Sequence, residues 1–376
     1  MPSLCVVAPE AYPTLAGLNI GVAGGAELQQ VLIARGLAKM GWDVTFVAGD
    51  YGQERIVEFD GVRALRTYRV GEGNRKARYV PDTLAMFAAM REANADAYLQ
   101  RCVFHHTDRV ALFCRMHRKP FIFSAGADAN GLAPDQIAGL RALHRVSYPW
   151  AIKGAASILC QSRVQAEAFR ANYGREATIL PNIVPDADIA AARVHTGAAR
   201  TALWVGSFSR GKRPLAFLDL AEHFPDIAFR IAGMEMDSDV TQQARQRAAA
   251  MDNVTWLGFL DAESVRAEFR SADVFVSTAA LEGFPNTFLQ SMSAGVPVLS
   301  LAVDPDGVLA RFGMGTVCGD DPILLASELG RLSREPELRT TMGSAGIGYV
   351  CANHASSAVI PRYAEAIRSA IAAYPG

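Results

Sequence analysis

Short apolar runs of a strand's length alternate along this chain with longer segments whose apolar residues recur at helical spacing. In the first half, LCVVAP from Leu4 reads as a buried strand and Ala26 to Met40 as an amphipathic helix closed by Gly41. DVTFVAG from Asp43 is the next strand. A short strand near Tyr98, a helix over Asp108 to His117, FIFSAG from Phe121, ASILCQS from Ala156 and TILPN from Thr178 complete this half. From Val184 to Arg200 the chain turns polar and Ala-rich, which marks a linker. A second series follows: TALWVGSF from Thr201, AFRIAG from Ala228, VTWLGFL from Val254, DVFVST from Asp273 and VPVLSL from Val296. A helix over Ser356 to Ala373 ends the pattern. Strand–helix alternation of this kind predicts α/β architecture with mostly parallel sheets. The second-series strands end in Gly, Ser or Thr, where open sheets receive ligands.

A chain of 376 residues exceeds what one core usually serves, so two domains are expected. The boundaries read as 1–185, 186–353 and a final helical segment 354–376 that packs back towards the first domain. Two domains facing each other leave a cleft. Half of the residues are hydrophobic and a fifth charged, with a formal net charge of −1. That balance argues against a nucleic-acid binder, which is usually strongly basic. Six cysteines without a C-x-x-C pair predict buried thiols in a reducing, cytoplasmic setting. Neither a signal peptide nor a membrane span is expected. Arg63, Arg66, Arg69, Arg75, Lys76 and Arg78 form a basic stretch. It reads first as a solvated surface and alternatively as a peripheral contact with the inner membrane.

The stretch from Glu282 to Leu299, EGFPNTFLQSMSAGVPVL, carries the strongest chemical signal. An acidic residue opens a loop (Gly283, Phe284, Pro285), a helix begins near Asn286 and Thr287, and Gln290 falls on its expected first turn. A helix N-terminus presents free N–H groups and the positive end of a dipole, which suit phosphate. The loop GSFSRGKRP, from Gly206 and Ser207 to Pro214, places Arg210, Lys212 and Arg213 after a strand. Together these loops point to a diphosphate site. Gly233 and Gly258 lie at the next two strand ends, where a base would be read near Met234 and Trp256. In the first half, GLNIGVAGGAE holds Gly24 and Gly25 at a helix entry and reads as a Gly-rich flap over a phosphate. Asp50 would complete a dinucleotide fingerprint, but the long loop after the first strand gives the wrong spacing. Arg101, Cys102, His105, His106 and Asp128 sit at predicted strand ends, where the histidines and the aspartate would bind an acceptor hydroxyl or act as base. The adjacent histidines lack a third ligand in the sequence and make a poor metal case. The triplets Asp186/Asp188, Asp237/Asp239 and Asp304/Asp306 could hold a divalent cation but read as structural, in turn or linker sequence.

These motifs resemble the family 4 retaining glycosyltransferases of GT-B fold, also called group 1, over nearly the whole chain. The resemblance is strongest from Thr201 to Gly307 and next at Gly24-Gly25-Ala26-Glu27. Pro181-Asn182 and Ile231 to Gly233 also fit. The family usually carries two glutamates separated by seven residues. Glu282 matches the first and Gln290 replaces the second. Gly206 and Lys212 match the family's second-domain opening, while Ser207 stands where Arg is usual.

The resemblance implies two facing Rossmann-like domains and a UDP- or GDP-sugar as donor, with no other cofactor and no metal. It implies a glycan or lipid-linked acceptor and transfer of a hexose-type sugar with retention, in cell-surface polysaccharide synthesis. By it, Lys212 sits on the diphosphate, residues 282–287 touch sugar and phosphates, and Gln290 grips the ribose. The family's usual histidine is missing between Ser124 and Asp128, so Asp128 or Arg101 would serve in its place beside Glu282 and Lys212. A nucleotide-sugar epimerase, a non-catalytic relative of this fold and an NAD-dependent oxidoreductase are the alternatives.

Overall fold

The computed structural model describes residues 1–20, 24–71, 75–137, 139–190 and 199–375. The central part of the expected linker, 191–198, therefore lies outside the described residues. So do 21–23 of the Gly-rich loop and the side chains of Arg75 and Lys76. The chain forms two compact units. One comprises Met1–Ile183 with Ser356–Gly376, the other Val184–Ala355.

The first unit holds β1 (Ser3–Val7), β2 (Asp43–Asp50), β3 (Ile56–Phe59), β4 (Val62–Arg69), β5 (Ala97–Arg101), β6 (Phe121–Ser124), β7 (Ser157–Cys160) and β8 (Thr178–Ile179). Their order in the sheet is β3-β4-β2-β1-β5-β6-β7-β8. All neighbours run parallel except the β3–β4 pair. Leu4, Val6, Val44 and Phe46 are fully buried, as strands covered on both faces require. One face carries helix Gly25–Lys39 and helix Ser356–Ala373, whose Val359, Ile360, Tyr363 and Ile367 join the core around Val31 and Leu37. A Cβ on Gly36 would overlap the Ile360 side chain, so this glycine lets the two helices approach.

The second unit holds β9 (Thr201–Phe208), β10 (Ala228–Glu235), β11 (Val254–Gly258), β12 (Val274–Ser277), β13 (Val298–Ser300) and β14 (Gly315–Val317). The sheet is parallel throughout, in the order β11-β10-β9-β12-β13-β14. Two of its helices begin on aspartate caps that hold two N–H groups each: Asp237 accepts from those of Asp239 and Val240, and Asp321 from those of Ile323 and Leu324.

In the basic stretch Arg63, Arg66 and Arg69 lie on β4, paired parallel with β2. Of the cysteines, Cys5, Cys114, Cys160 and Cys318 are buried, but Cys102 is partly accessible and Cys351 exposed.

Candidate functional site

In the second sheet the chain leaves β9 towards β10 and later returns to its other side as β12. That reversal is a topological switch point, where open α/β sheets bind ligands beyond the strands' carboxyl ends. The loop after β9 and the loop after β12 are stitched together there. Ala280 N–H donates to Gly211 O at 2.9 Å, and the Thr278 hydroxyl donates to Lys212 O at 2.7 Å while accepting from Trp204 Nε1 at 2.9 Å. Arg213, left-handed at φ 51°, donates to Thr278 O and Ala279 O and pairs with Asp320 at 2.6 Å. Its guanidinium is thus a staple of the loop. Pro214 then starts helix Pro214–Glu222 at a position that needs no N–H.

Lys212 emerges from this fixed backbone, and its ammonium is in direct contact with the Glu282 carboxylate. Both side chains are partly accessible, at 32% and 20%. Burial of the ammonium pulls its pKa down to about 8. The touching carboxylate acts against that shift. Arg210 does not share the pair. It is 80% exposed and lies 3.4 Å from Asp237, beyond β10.

Helix Asn286–Ser293 starts beside Glu282 with no side-chain cap. Its first carbonyl, Pro285 O, takes the N–H groups of Phe288 and Leu289. Phe284 is buried against His354, with rings 4.9 Å apart. The helix begins at Asn286, so Gln290 falls on the second turn rather than the first. It stands one turn beyond Asn286, on the same face. Among the described residues its side-chain amide has no hydrogen-bond partner, and it is partly accessible.

Gly206 and Gly233 face each other across β9 and β10. A Cβ on Gly233 would overlap the Gly206 carbonyl, so sheet packing alone demands glycine there. Ser207 Oγ lies 3.3 Å from Ser209 Oγ. Gly258 ends β11 at φ 66°, two residues past Trp256, which stacks on Phe208 at 4.2 Å.

The first sheet has its own switch point, between β1 and β5. Arg101 ends β5 but is only 2% exposed. It donates to Ser124 Oγ at 3.0 Å and Asn182 Oδ1 at 2.8 Å, and Gln161 donates to the same Asn182 oxygen at 3.0 Å. The next residue, Cys102, is left-handed at φ 65°, and its sulfur fills the space that a Cβ on Gly126 would need. Asp128 accepts from Gln165 Nε2 at 3.0 Å. Gly24 precedes helix Gly25–Lys39, and a Cβ there would overlap the carboxylate of Glu27. Glu27 is itself pushed up by burial and held back by its own helix-terminal N–H and by Arg101. The Gly24-Gly25-Ala26-Glu27 motif therefore seats a half-buried carboxylate at the helix entry. This account of Gly24 needs no phosphate.

The spacing of the sequence hid one grouping. Glu10, just after β1, meets His105 and His106, just after β5; their ligand-type atoms all lie within 4.8 Å of one another. Glu10 is the third ligand-type group that the adjacent histidines lacked in the sequence. His106 is held stacked on Phe104 at 5.4 Å, and burial, His105 and Arg109 push its pKa well down.

The remaining candidates find partners inside the first unit. Arg63 donates to Thr45 Oγ1, Arg66 to Gln53 O, and Arg78 to Arg69 O and Asp82. Asp50 lies 3.9 Å from Arg66 and 3.7 Å from Arg69 and accepts from Gly52 N–H, a turn role rather than that of a ribose reader. Among the described residues no helix is long and apolar enough to cross a membrane.

Two family models match the chain: glycosyl transferase 4-like domain over residues 24–182 and glycosyl transferases group 1 over residues 188–348. No curated protein matches it in sequence. Among solved structures it is similar to a sucrose-phosphate synthase from Thermosynechococcus elongatus, at 18% identity over 99% of this chain and 100% of that one, with a TM-score of 0.79. An α,α-trehalose-phosphate synthase (UDP-forming) from Burkholderia vietnamiensis shares 12% identity over 98% and 100%, at 0.74. An E. coli structure described as trehalose-6-phosphate bound with UDP-2-fluoro glucose shares 13% over 98% of each chain, at 0.72. At such identities the likeness concerns the fold. With the two family models spanning both units in succession, the chain belongs to the group 1 glycosyltransferases of GT-B fold.

Proposed function

We propose that the protein is a retaining glycosyltransferase that moves a hexose-type sugar from a nucleoside diphosphate sugar onto a glycan or lipid-linked acceptor, in cell-surface polysaccharide synthesis in the cytoplasm. The observation that carries this reading is the Lys212–Glu282 pair at the switch point of the second sheet, beside the uncapped N-terminus of helix Asn286–Ser293. A cation, a carboxylate and a helix N-terminus in one place suit a ligand with both phosphate and hydroxyl groups. UDP comes before GDP as the base, because two of the similar structures carry UDP in their names.

The chemistry follows from charge. As the sugar–oxygen bond breaks, negative charge grows on the departing diphosphate. Lys212 and the helix N–H groups would stabilise that charge more than they stabilise the bound donor, which is what lowers a barrier. A diphosphate that takes Lys212 frees Glu282 from its ion pair, and the carboxylate can then accept hydrogen bonds from sugar hydroxyls. Gln290 would hold the ribose through an amide that both donates and accepts. The acceptor's proton passes to the leaving phosphate oxygen, so this reading needs no separate side-chain base and no metal in the transfer step.

A thermal-shift panel tests it. UDP, GDP, ADP and their common sugars are compared, with UMP and NAD as controls. A ligand present at 100 times its Kd stabilises by about 2.7 kcal/mol. A nucleoside diphosphate should therefore shift the melting temperature clearly and UMP much less. A shift with NAD alone would sink the reading. Conversion of the donor to an epimer without any acceptor would replace it with the epimerase.

A further inference from the structure

We propose that Glu10, His105 and His106 form a binding site for a divalent transition-metal ion of the zinc type, at the switch point of the first sheet. Their ligand-type atoms already lie within 4.8 Å of one another. Ligands around a tetrahedral zinc at 2.0–2.1 Å stand roughly 3.3 Å apart, so modest side-chain rotations close the set. Two imidazoles and one carboxylate are a common three-ligand set for such an ion, with a fourth position left open.

The burial of His106 argues in the same direction. His106 is 1% exposed, and its Nδ1 has no hydrogen-bond partner among the described residues. The hydroxyl of Tyr68, close enough to feel the Glu10 charge, is likewise buried without a partner there. Buried polar atoms are ordinarily paired, and each exception calls for a reason. Each neutral imidazole offers one lone pair, and an ionised carboxylate offers only acceptors. A cation shared with the Glu10 carboxylate would give the buried His106 imidazole the partner that it lacks.

The backbone fixes the two histidines. Arg109 Nη2 donates to His105 O at 3.1 Å, and Val110 N–H donates to His106 O at 3.0 Å. Arg109 is a nearby cation, but its guanidinium also bonds Thr83 Oγ1 and lies 4.4 Å from the centroid of the Tyr79 ring. A neighbouring positive charge disfavours an ion held by charge alone, such as magnesium or calcium. It disfavours less an ion that gains from nitrogen ligation.

The test uses the full chain, stripped with a chelator and titrated with Zn²⁺ by calorimetry, then loaded with Co²⁺ for visible absorption. Exposed Cys351 is a competing ligand, so Cys351→Ser serves as the background. One Zn²⁺ per chain is expected in that background. Glu10→Gln and His105→Ala, at partly accessible positions, should each weaken binding by about tenfold or more, with circular dichroism unchanged. The Co²⁺ spectrum should show d–d bands without the thiolate charge-transfer band. No binding, binding indifferent to both variants, or a thiolate band would each overturn the site. His106→Ala is left out because its burial makes misfolding a rival explanation.

Discussion

At the carboxyl ends of β9 and β12 the charged groups are partly accessible: Lys212 pairs with Glu282, and Arg213 pairs with Asp320 while it staples the loop. At the carboxyl ends of β1 and β5 the arginines are buried, with Arg101 held by Ser124 and Asn182. The two sheets share a plan in which the chain reverses direction around a central strand. Topology thus fixes where a ligand can approach, and side-chain burial decides whether the charge there can move onto it. A loosely held ion pair can exchange partners. A buried guanidinium with two hydrogen-bond partners holds its neighbours in place.

The comparison breaks first if Arg101 proves dispensable. Arg101→Ala should cost about 3–5 kcal/mol in denaturant unfolding, the usual loss when one member of a buried charged network is removed. Arg101→Met, which keeps the volume, should cost less. Wild-type stability in Arg101→Ala would mean that the network does not hold the first unit together.

Lys212→Ala should behave in the opposite way. Turnover should drop by about 10²–10³-fold, the range for losing one transition-state charge stabiliser. Unfolding free energy should move by no more than about 1 kcal/mol, because the residue is partly accessible. Equal loss of stability and turnover would erase the contrast between the two sheets.

The pH dependence sharpens it further. Burial depresses the Lys212 ammonium to about 8, so the cation is present below that pH and lost above it. Affinity for a nucleoside diphosphate should fall by about tenfold between pH 7 and 9, since one unit above its pKa about one ammonium in eleven survives. Lys212→Arg should flatten the profile, because guanidinium keeps its charge. Stability should respond with the other sign. Between about 8 and the ordinary lysine value near 10.4, the unfolded chain holds a proton that the folded one has shed, so this residue's contribution rises with pH.

The smallest effect is expected at Gln290. Gln290→Glu should change donor affinity only a few-fold and leave stability within about 0.5 kcal/mol, as for an accessible side chain without protein partners. A large rise in turnover would show that the amide had silenced the site.

Much of the sheet structure was legible because buried parallel strands are nearly continuous apolar runs, as in Leu4–Val7 and Ala202–Val205. The strand β4 was not, since Arg63, Arg66 and Arg69 interrupt Val62, Ala64 and Leu65. Those arginines bond Thr45, the Gln53 carbonyl and the region of Asp50, contacts that exist only once the strands have paired. The helix start near Asn286 followed from Pro285. The direct Lys212–Glu282 contact did not, because it joins loops 70 residues apart through the adjacency of β9 and β12. Gly233 read as a ligand residue, yet the Gly206 carbonyl already excludes any side chain there. Glu10 and the two histidines stand more than 90 positions apart, and only the neighbouring of β1 and β5 unites them.

The helix Ser356–Ala373 has a consequence for the order in which the molecule can be made. Its Ile360 and Tyr363 complete the core of the first unit, and the Tyr363 hydroxyl lies 3.3 Å from Pro181 O. On the ribosome, every residue of Val184–Ala355 is polymerised before that helix. The second unit can therefore close while the first still exposes the apolar flank of helix Gly25–Lys39. Of the two units, the one whose strands are made first finishes folding last, and a nascent chain halted before residue 356 would offer chaperones that uncovered flank.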